Sequence, residues 1–317
     1  LSDTADLTAL ARLANIQAVE VTGIGASGAT DDINLARMGS AVTTLNTVAA
    51  TGTTAAVVTF NAGANTLNMG SAATAVALGA AATLGVAGTG TADSLTINRV
   101  GTAAEAILGT AALTVSGIET ITFNTGSVTN TAQTTGAIGW TPTTTNAGVT
   151  LNVTGANALT TGVITPVGTG RVTIDGSGMT AQAVGTTTLT TVAPVSPGGT
   201  VSIVGSSGQD VLVGDIDNSN TIIGGAGVDT VTGGSAADNL SGGDGIDSIT
   251  GGGGNDTISG GEGNDVIVQT VNSADSMSVD GGAGNDTLTL TGFDLVSSED
   301  IIAGGDGTDT LTVAVVN

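Results

Sequence analysis

Five aspartates, Asp229, Asp238, Asp247, Asp256 and Asp265, stand nine residues apart, and each closes a glycine-rich hexamer. Their units read GGAGVDTVT from Gly224, GGSAADNLS from Gly233, GGDGIDSIT from Gly242, GGGGNDTIS from Gly251 and GGEGNDVIV from Gly260. The glycines of these hexamers let a backbone take positive φ and curl, so that its carbonyl oxygens converge, a shape that residues with a β-carbon resist. Those singled out as site candidates are Gly224, Gly225 and Gly227, then Gly233, then Gly242, Gly243 and Gly245, then Gly251, Gly252 and Gly254, and finally Gly260, Gly261 and Gly263. An oxygen cage with one carboxylate per curl and no nitrogen or sulfur donor suits a hard cation that takes about six to eight oxygen ligands, so calcium fits better than zinc or magnesium. The three residues that end each unit are too few for a helix. One apolar residue between polar neighbours is what a short strand with one buried face needs, so two units make one coil.

The Gly-Gly-x-Gly-x-Asp-x-U-x pattern resembles the RTX nonapeptide repeat of calcium-binding β-roll proteins. The resemblance implies that successive units lie on opposite sides of a flattened roll, with calcium between the loops of units n and n+2. It carries the ligand role to the five aspartates and to two isolated units. These are GGAGNDTLT, with Gly281, Gly282, Gly284 and Asp286, and GGDGTDTLT, with Gly304, Gly305, Gly307 and Asp309. A degenerate unit, GSSGQDVLV from Gly205, offers Asp210. Ala236 stands where the second unit should have its fourth-position glycine, which predicts weaker binding there. A flexible acidic linker is the bland alternative, but linkers do not hold an apolar residue at a fixed phase.

Composition narrows the partners. The formal net charge is −23, and the basic residues are four arginines with no lysine, so the clustered positive charge that nucleic acid requires is missing. From Val201 onward there are 18 acidic residues and no arginine. Such density opposes compaction until cations bind, which predicts a segment that is loose without calcium and ordered with it. Extracellular calcium modules work at roughly 0.1 to 1 mM, which points outside the cell. There is no cysteine and therefore no disulfide, and no run of apolar residues is long enough for a transmembrane helix. With no histidine, Ser-His-Asp triads and zinc-protease motifs are excluded. The remaining catalytic candidates are carboxylate pairs, Asp31 with Asp32 and Asp215 with Asp217, and the expectation is that the chain is not an enzyme.

The elements that must carry these residues are short strands. Apolar pairs at i and i+2 recur at Leu67 and Met69, Val76 and Leu78, Leu84 and Val86, Leu95 and Ile97, Leu113 and Val115, and Ile121 and Phe123. They continue at Leu151 and Val153, Val172 and Ile174, and Val201 and Ile203. Small-residue turns at near-regular spacing favour a solenoid, with a β-sandwich as the alternative for the first part. Helices are expected from Asp3 and from Thr102, and loops between Gln269 and Asp280 and between Thr291 and Ala303. The predicted fold is all-β, a parallel β-solenoid (β-helix) over 1–193 that continues into an RTX-type calcium β-roll over 194–317, with the boundary at the APVSPGG cluster. LTVSGIETITFN from Leu113 echoes LANIQAVEVTGI from Leu13, which puts Glu119 and Glu20 in similar places, read as exposed strand polarity with a calcium or arginine contact as the alternative. Asp93 and, more weakly, Asp175 are further calcium candidates. Trp140 is either an interface anchor or the cover of a local apolar spot. Both ends of the sequence read as internal to a longer protein.

Taken together, the Thr, Ala and Gly-rich solenoid, the scarcity of aromatics, the Ile-Glu strands and the RTX-like units resemble a calcium-dependent bacterial surface-layer (S-layer) protein. That resemblance implies a structural role. The chain would be exported unfolded through a type I exporter, fold in calcium at the cell surface and self-assemble with identical chains into a lattice, with cell-surface polysaccharide as a candidate anchor. The alternatives are a fragment of an RTX-like adhesin that grips a sugar or a cell, and an accessory module of a secreted enzyme.

Overall fold

A computed structural model describes residues 17–24, 31–35, 42–50, 56–69, 82–87, 92–99, 112–126, 133–135, 137–142, 148–166, 170–180, 187–190, 199–271, 276–292 and 299–315. The chain forms two compact units, one of residues 1–169 with 183–185, the other of 170–182 with 186–317. Both are built from parallel strands, and the described residues include no α-helix. The two expected helices lie outside the described residues.

In the first unit, strands β1 (Ala18–Ile24), β2 (Asp31–Asn34), β3 (Thr44–Ala50), β4 (Ala56–Asn61), β5 (Ala64–Met69), β6 (Ala82–Ala87) and β7 (Ser94–Arg99) alternate between two sheets. They are followed by β8 (Leu113–Ser116), β9 (Thr120–Asn124), β10 (Gln133–Thr134), β11 (Ile138–Thr141), β12 (Val149–Gly155), β13 (Leu159–Thr160) and β14 (Ile164–Pro166). One sheet runs β1-β3-β5-β7-β9-β12 and the other β14-β11-β8-β6-β4-β2, while β10 and β13 add a third face to the later coils. A sandwich needs antiparallel strands, whereas the pairings here are parallel and link each coil to the next. The solenoid reading therefore holds and the sandwich alternative does not.

Alternation decides what the strands bury. Leu67, Ile97 and Phe123 stand in one register column, and all three are buried. On the outward side, Asn68 Nδ2 donates to Asn46 Oδ1 at 2.7 Å and Asn98 Nδ2 to Asn68 Oδ1 at 2.9 Å. A column of asparagines thus builds its own side-chain ladder, which explains a residue type that strands otherwise disfavour. Trp140 is 1% exposed and its Nε1 donates to the Ile118 carbonyl at 2.5 Å, so it is a core residue with its polar tip satisfied rather than an interface anchor.

In the second unit the coil is shorter and two-sided. Strands β15 (Arg171–Met179), β17 (Thr200–Val204), β19 (Ser219–Ala226), β21 (Asn239–Asp244), β23 (Thr257–Glu262), β25 (Ser278–Ala283) and β27 (Ile301–Ala303) form one sheet. Strands β16 (Thr187–Thr190), β18 (Asp210–Val213), β20 (Thr230–Gly234), β22 (Ser248–Gly252), β24 (Val266–Val271), β26 (Thr287–Gly292) and β28 (Thr310–Val315) form the other. The apolar residue of each nonapeptide lands on the inner face. Ile203, Ile222, Leu240, Ile258 and Val279 stack in the first sheet against Leu212, Val231, Ile249, Ile267 and Leu288 in the second, each at most 2% exposed. Burying each such side chain stabilises by about 1.5 to 3 kcal/mol, and only one is needed per half-coil because the roll is two side chains thick.

Strands enter both expected loops from their ends, and residues 272–275 and 293–298 between them lie outside the described residues. Gln269–Val271 completes β24 and pairs with Leu290–Gly292, while Ser278–Asp280 opens β25 and Ile301–Ala303 forms β27. Losing the glycine phase does not end a strand that has a neighbour on both sides to bond.

Candidate metal centre

Loops at the two edges of this roll carry the aspartates. On the edge where the chain passes from the first sheet to the second, Asp210, Asp229, Asp247, Asp265, Asp286 and Asp309 follow one another, one per coil. Each backbone N–H donates to the Oδ1 of the next: Asp210 to Asp229 at 2.8 Å, Asp229 to Asp247 at 2.7 Å, Asp247 to Asp265 at 2.8 Å, Asp265 to Asp286 at 2.8 Å and Asp286 to Asp309 at 3.0 Å. This locks one carboxylate oxygen per residue inward. The other oxygen, Oδ2, is buried without a hydrogen-bond partner at Asp229, Asp247, Asp265 and Asp286.

The surroundings of these four oxygens are a cage of backbone. A β-carbon at Gly224 would strike both Asp229 Oδ2 and the carbonyl oxygen of Gly242, and one at Gly242 would strike Asp247 Oδ2 and the Gly260 carbonyl. The same convergence repeats at Gly260, with Asp265 Oδ2 and the Gly281 carbonyl, and at Gly281, with Asp286 Oδ2 and the Gly304 carbonyl. A carboxylate oxygen and the carbonyl of the coil two units on share each cradle. The donor set is all oxygen and carries one charge, so it fits calcium and supplies nothing a soft metal prefers. Among the described residues no three His, Cys, Asp or Glu side chains cluster, as expected where each cage draws one carboxylate and otherwise backbone.

Electrostatics agree with that fit. Burial pushes the Asp229 carboxyl up to about 7 and that of Asp265 up to about 6; in each, a neighbouring backbone N–H opposes the shift and the flanking carboxylates add to it. Burial likewise raises Asp210, Asp238 and Asp247. Unfolded, these groups titrate near 3.8, so between the two values the folded calcium-free roll holds more protons than the unfolded chain. Their contribution to its stability is fully present below about pH 3.8 and is lost as pH rises through 6 to 7. In calcium-stripped buffer the strand signal in far-UV circular dichroism should therefore weaken from pH 4 to pH 7, and calcium binding near pH 6 should release protons, measurable as a buffer-dependent heat.

The opposite edge is built differently. Asn220 N–H donates to Asp238 Oδ1 at 2.7 Å and Asp238 N–H to Asp256 Oδ1 at 2.9 Å, which repeats the ladder. Here, however, Asp238 Oδ2 accepts from the Gly234 N–H of its own loop at 2.7 Å. This is the loop with Ala236 in place of glycine, and it is closed on itself. Asp256 Oδ2 accepts from Gln269 Nε2 at 2.7 Å, and Gln269 is fully buried. Gln269 stands 18 residues after Gly251, where the next coil's first glycine belongs, and its Oε1 fills the cradle at Gly251 that a backbone carbonyl fills elsewhere. Counting the period past the last perfect unit would have found it. Replacing Gln269 by glutamate puts a second carboxylate in that cradle. The expected result in calorimetric titration is one more calcium ion bound per chain than in the wild type, with a calcium-free roll less stable than before.

The remaining acidic candidates have local roles. Asp210 Oδ2 accepts from Ser206 N–H at 2.6 Å and from its hydroxyl at 2.9 Å. Asp215 Oδ1 accepts from the N–H groups of Asp217 at 2.9 Å and Asn218 at 3.1 Å, so the Asp215 and Asp217 pair is a capped turn. Asp175 Oδ1 accepts from Ser177 N–H at 2.9 Å in a turn of the same kind. The Asp31 and Asp32 backbones lie in β2; their side chains fall outside the described residues, as does that of Glu20.

Comparison with known families agrees with the geometry. The profile of the RTX calcium-binding nonapeptide repeat (4 copies) matches residues 204–239, 216–247, 232–267, 278–292 and 297–313. Residues 204–313 thus carry RTX calcium-binding nonapeptide repeats, which bind calcium at multiple sites, and proteins with such repeats are typically secreted. No curated protein and no solved structure matches the chain. Among the described residues no helix is long and apolar enough to cross a membrane.

Proposed function

We propose that this chain is a non-catalytic structural protein of a bacterial cell surface, and that it folds and self-assembles into an S-layer lattice when it meets extracellular calcium. The observation that carries the reading is the column of buried Oδ2 atoms at Asp229, Asp247, Asp265 and Asp286, each facing a carbonyl and no donor. Burying four carboxylates side by side opposes closure of the roll until cations bind them, so folding waits for calcium. The fold itself is the other support. Each coil contacts its neighbours along the stack, and the outward Asn46, Asn68 and Asn98 ladder stiffens one face, which suits a wall element.

Negative-stain electron microscopy and light scattering on chelator-treated protein, with calcium added back, test this. Ordered sheets that form in millimolar calcium and disperse in excess chelator are the expected result. A folded, monodisperse monomer at all calcium concentrations overturns the lattice reading and favours the adhesin or the accessory module.

A further inference from the structure

Three consecutive coils of the first unit repeat, with different residues, the bonding of the aspartate column. Gly63, Asp93 and Glu119 each stand immediately before a strand of the same sheet, β5, β7 and β9, and the pairings Ala64 to Ser94 and Ser94 to Thr120 place them in one column. The Gly63 N–H donates to Asp93 Oδ1, and the Asp93 N–H donates to Glu119 Oε2 at 2.9 Å. Asp229 and Asp247 are joined in the same way in the second unit.

Burial separates this column from ordinary surface polarity. Asp93 is 3% exposed and Glu119 7%, so Glu119 is not the exposed strand residue that the sequence suggested. Nor is it the counterpart of Glu20, which pairs with Asn46 inside its strand. Asn65 is also 3% exposed, and its Nδ2 donates to the carbonyls of Asn61 at 2.8 Å and Gly63 at 3.1 Å. Its Oδ1 and Asp93 Oδ2 are buried oxygens with no hydrogen-bond partner. Two acceptors without donors therefore stand against one turn, that of Gly63 with φ of 102°, beside a second buried carboxylate. Buried polar atoms are satisfied in nearly all native structures, and an acceptor-only set of this kind is satisfied by a cation.

We propose that Asp93, Glu119 and Asn65 form a calcium site in the first unit, outside the repeats at 204–313. Its ligands are the two carboxylates and the Asn65 carboxamide oxygen, a hard, all-oxygen set. The site does not rest on the lattice reading, and it extends calcium control to a unit that carries none of the nonapeptides.

The test uses the full chain with calcium as the probe. Equilibrium dialysis gives the number of ions bound, and hydrogen–deuterium exchange follows peptides over 56–69 and 92–99. The expected result is calcium-dependent protection of both segments in the wild type. Asp93→Asn should bind one ion fewer and lose that protection while 224–268 stays protected. Asp247→Asn combined with Asp265→Asn should do the reverse. Equal stoichiometry in the wild type and Asp93→Asn overturns the proposal, as does wild-type protection at 56–69 that is the same with and without calcium, a readout that needs no variant to fold.

Discussion

Asp247→Asn should raise the calcium concentration for half-folding of the roll at least about tenfold, equivalent to about 1.4 kcal/mol. The substitution keeps the shape and the Oδ1 that accepts the Asp229 N–H at 2.7 Å, and it leaves the Asp247 N–H bonded to Asp265. What changes is the atom in the cradle. A carboxylate oxygen opposite the Gly260 carbonyl becomes an amide nitrogen, which brings a donor and no charge to a site built to hold a cation. Asp244→Asn is the control, because Asp244 is exposed and removes the same formal charge from the same loop. A calcium titration followed by circular dichroism should show Asp244→Asn within about twofold of the wild type, as a screened surface charge allows. Equal midpoints for the two variants would mean that bulk charge rather than the cage governs folding.

Gly245→Val should prevent the roll from closing at any calcium concentration. Gly245 has φ of +142°, a conformation that a β-branched residue does not adopt without strain, and its Cβ would enter the carbonyl of Gly227 in the preceding coil. The coils cannot separate to make room, because the Gly245 N–H donates to the Glu262 carbonyl at 2.7 Å on the other side. Strain and overlap together place the cost above about 4 kcal/mol, a large part of the stability of a domain this size. Gly253→Ala tests the specificity of that claim. A Cβ there meets nothing within 4 Å and φ lies outside the left-handed region, so stability should change by no more than about 0.5 kcal/mol. Urea unfolding in saturating calcium compares the two.

The period of the nonapeptide was legible because chemistry and packing share it. An aspartate and an apolar residue two positions later recur together, so the edge loops and the core of the second unit could be read from the same nine letters. Gln269 was hidden for the opposite reason. It breaks the glycine pattern, so it resembles the start of a loop, and only the stacking of β24 on β22 puts its carboxamide against Asp256. Glu119 was misread because strand alternation describes residues inside a strand, and this one sits just before β9, where the coil turns inward.

By itself the sequence determined the coil and the class of cation and singled out the aspartates at the coil edges, since each follows from side-chain type at a fixed spacing. Only the tertiary structure decided which of those aspartates keep an open oxygen. Asp229, Asp247, Asp265 and Asp286 do, while Asp238 and Asp256 are closed by Gly234 and Gln269. The reason is physical: a ligand's availability depends on which donors the folded loop and the neighbouring coil bring within hydrogen-bonding distance, and the two that close these carboxylates lie 4 and 13 residues away in the chain.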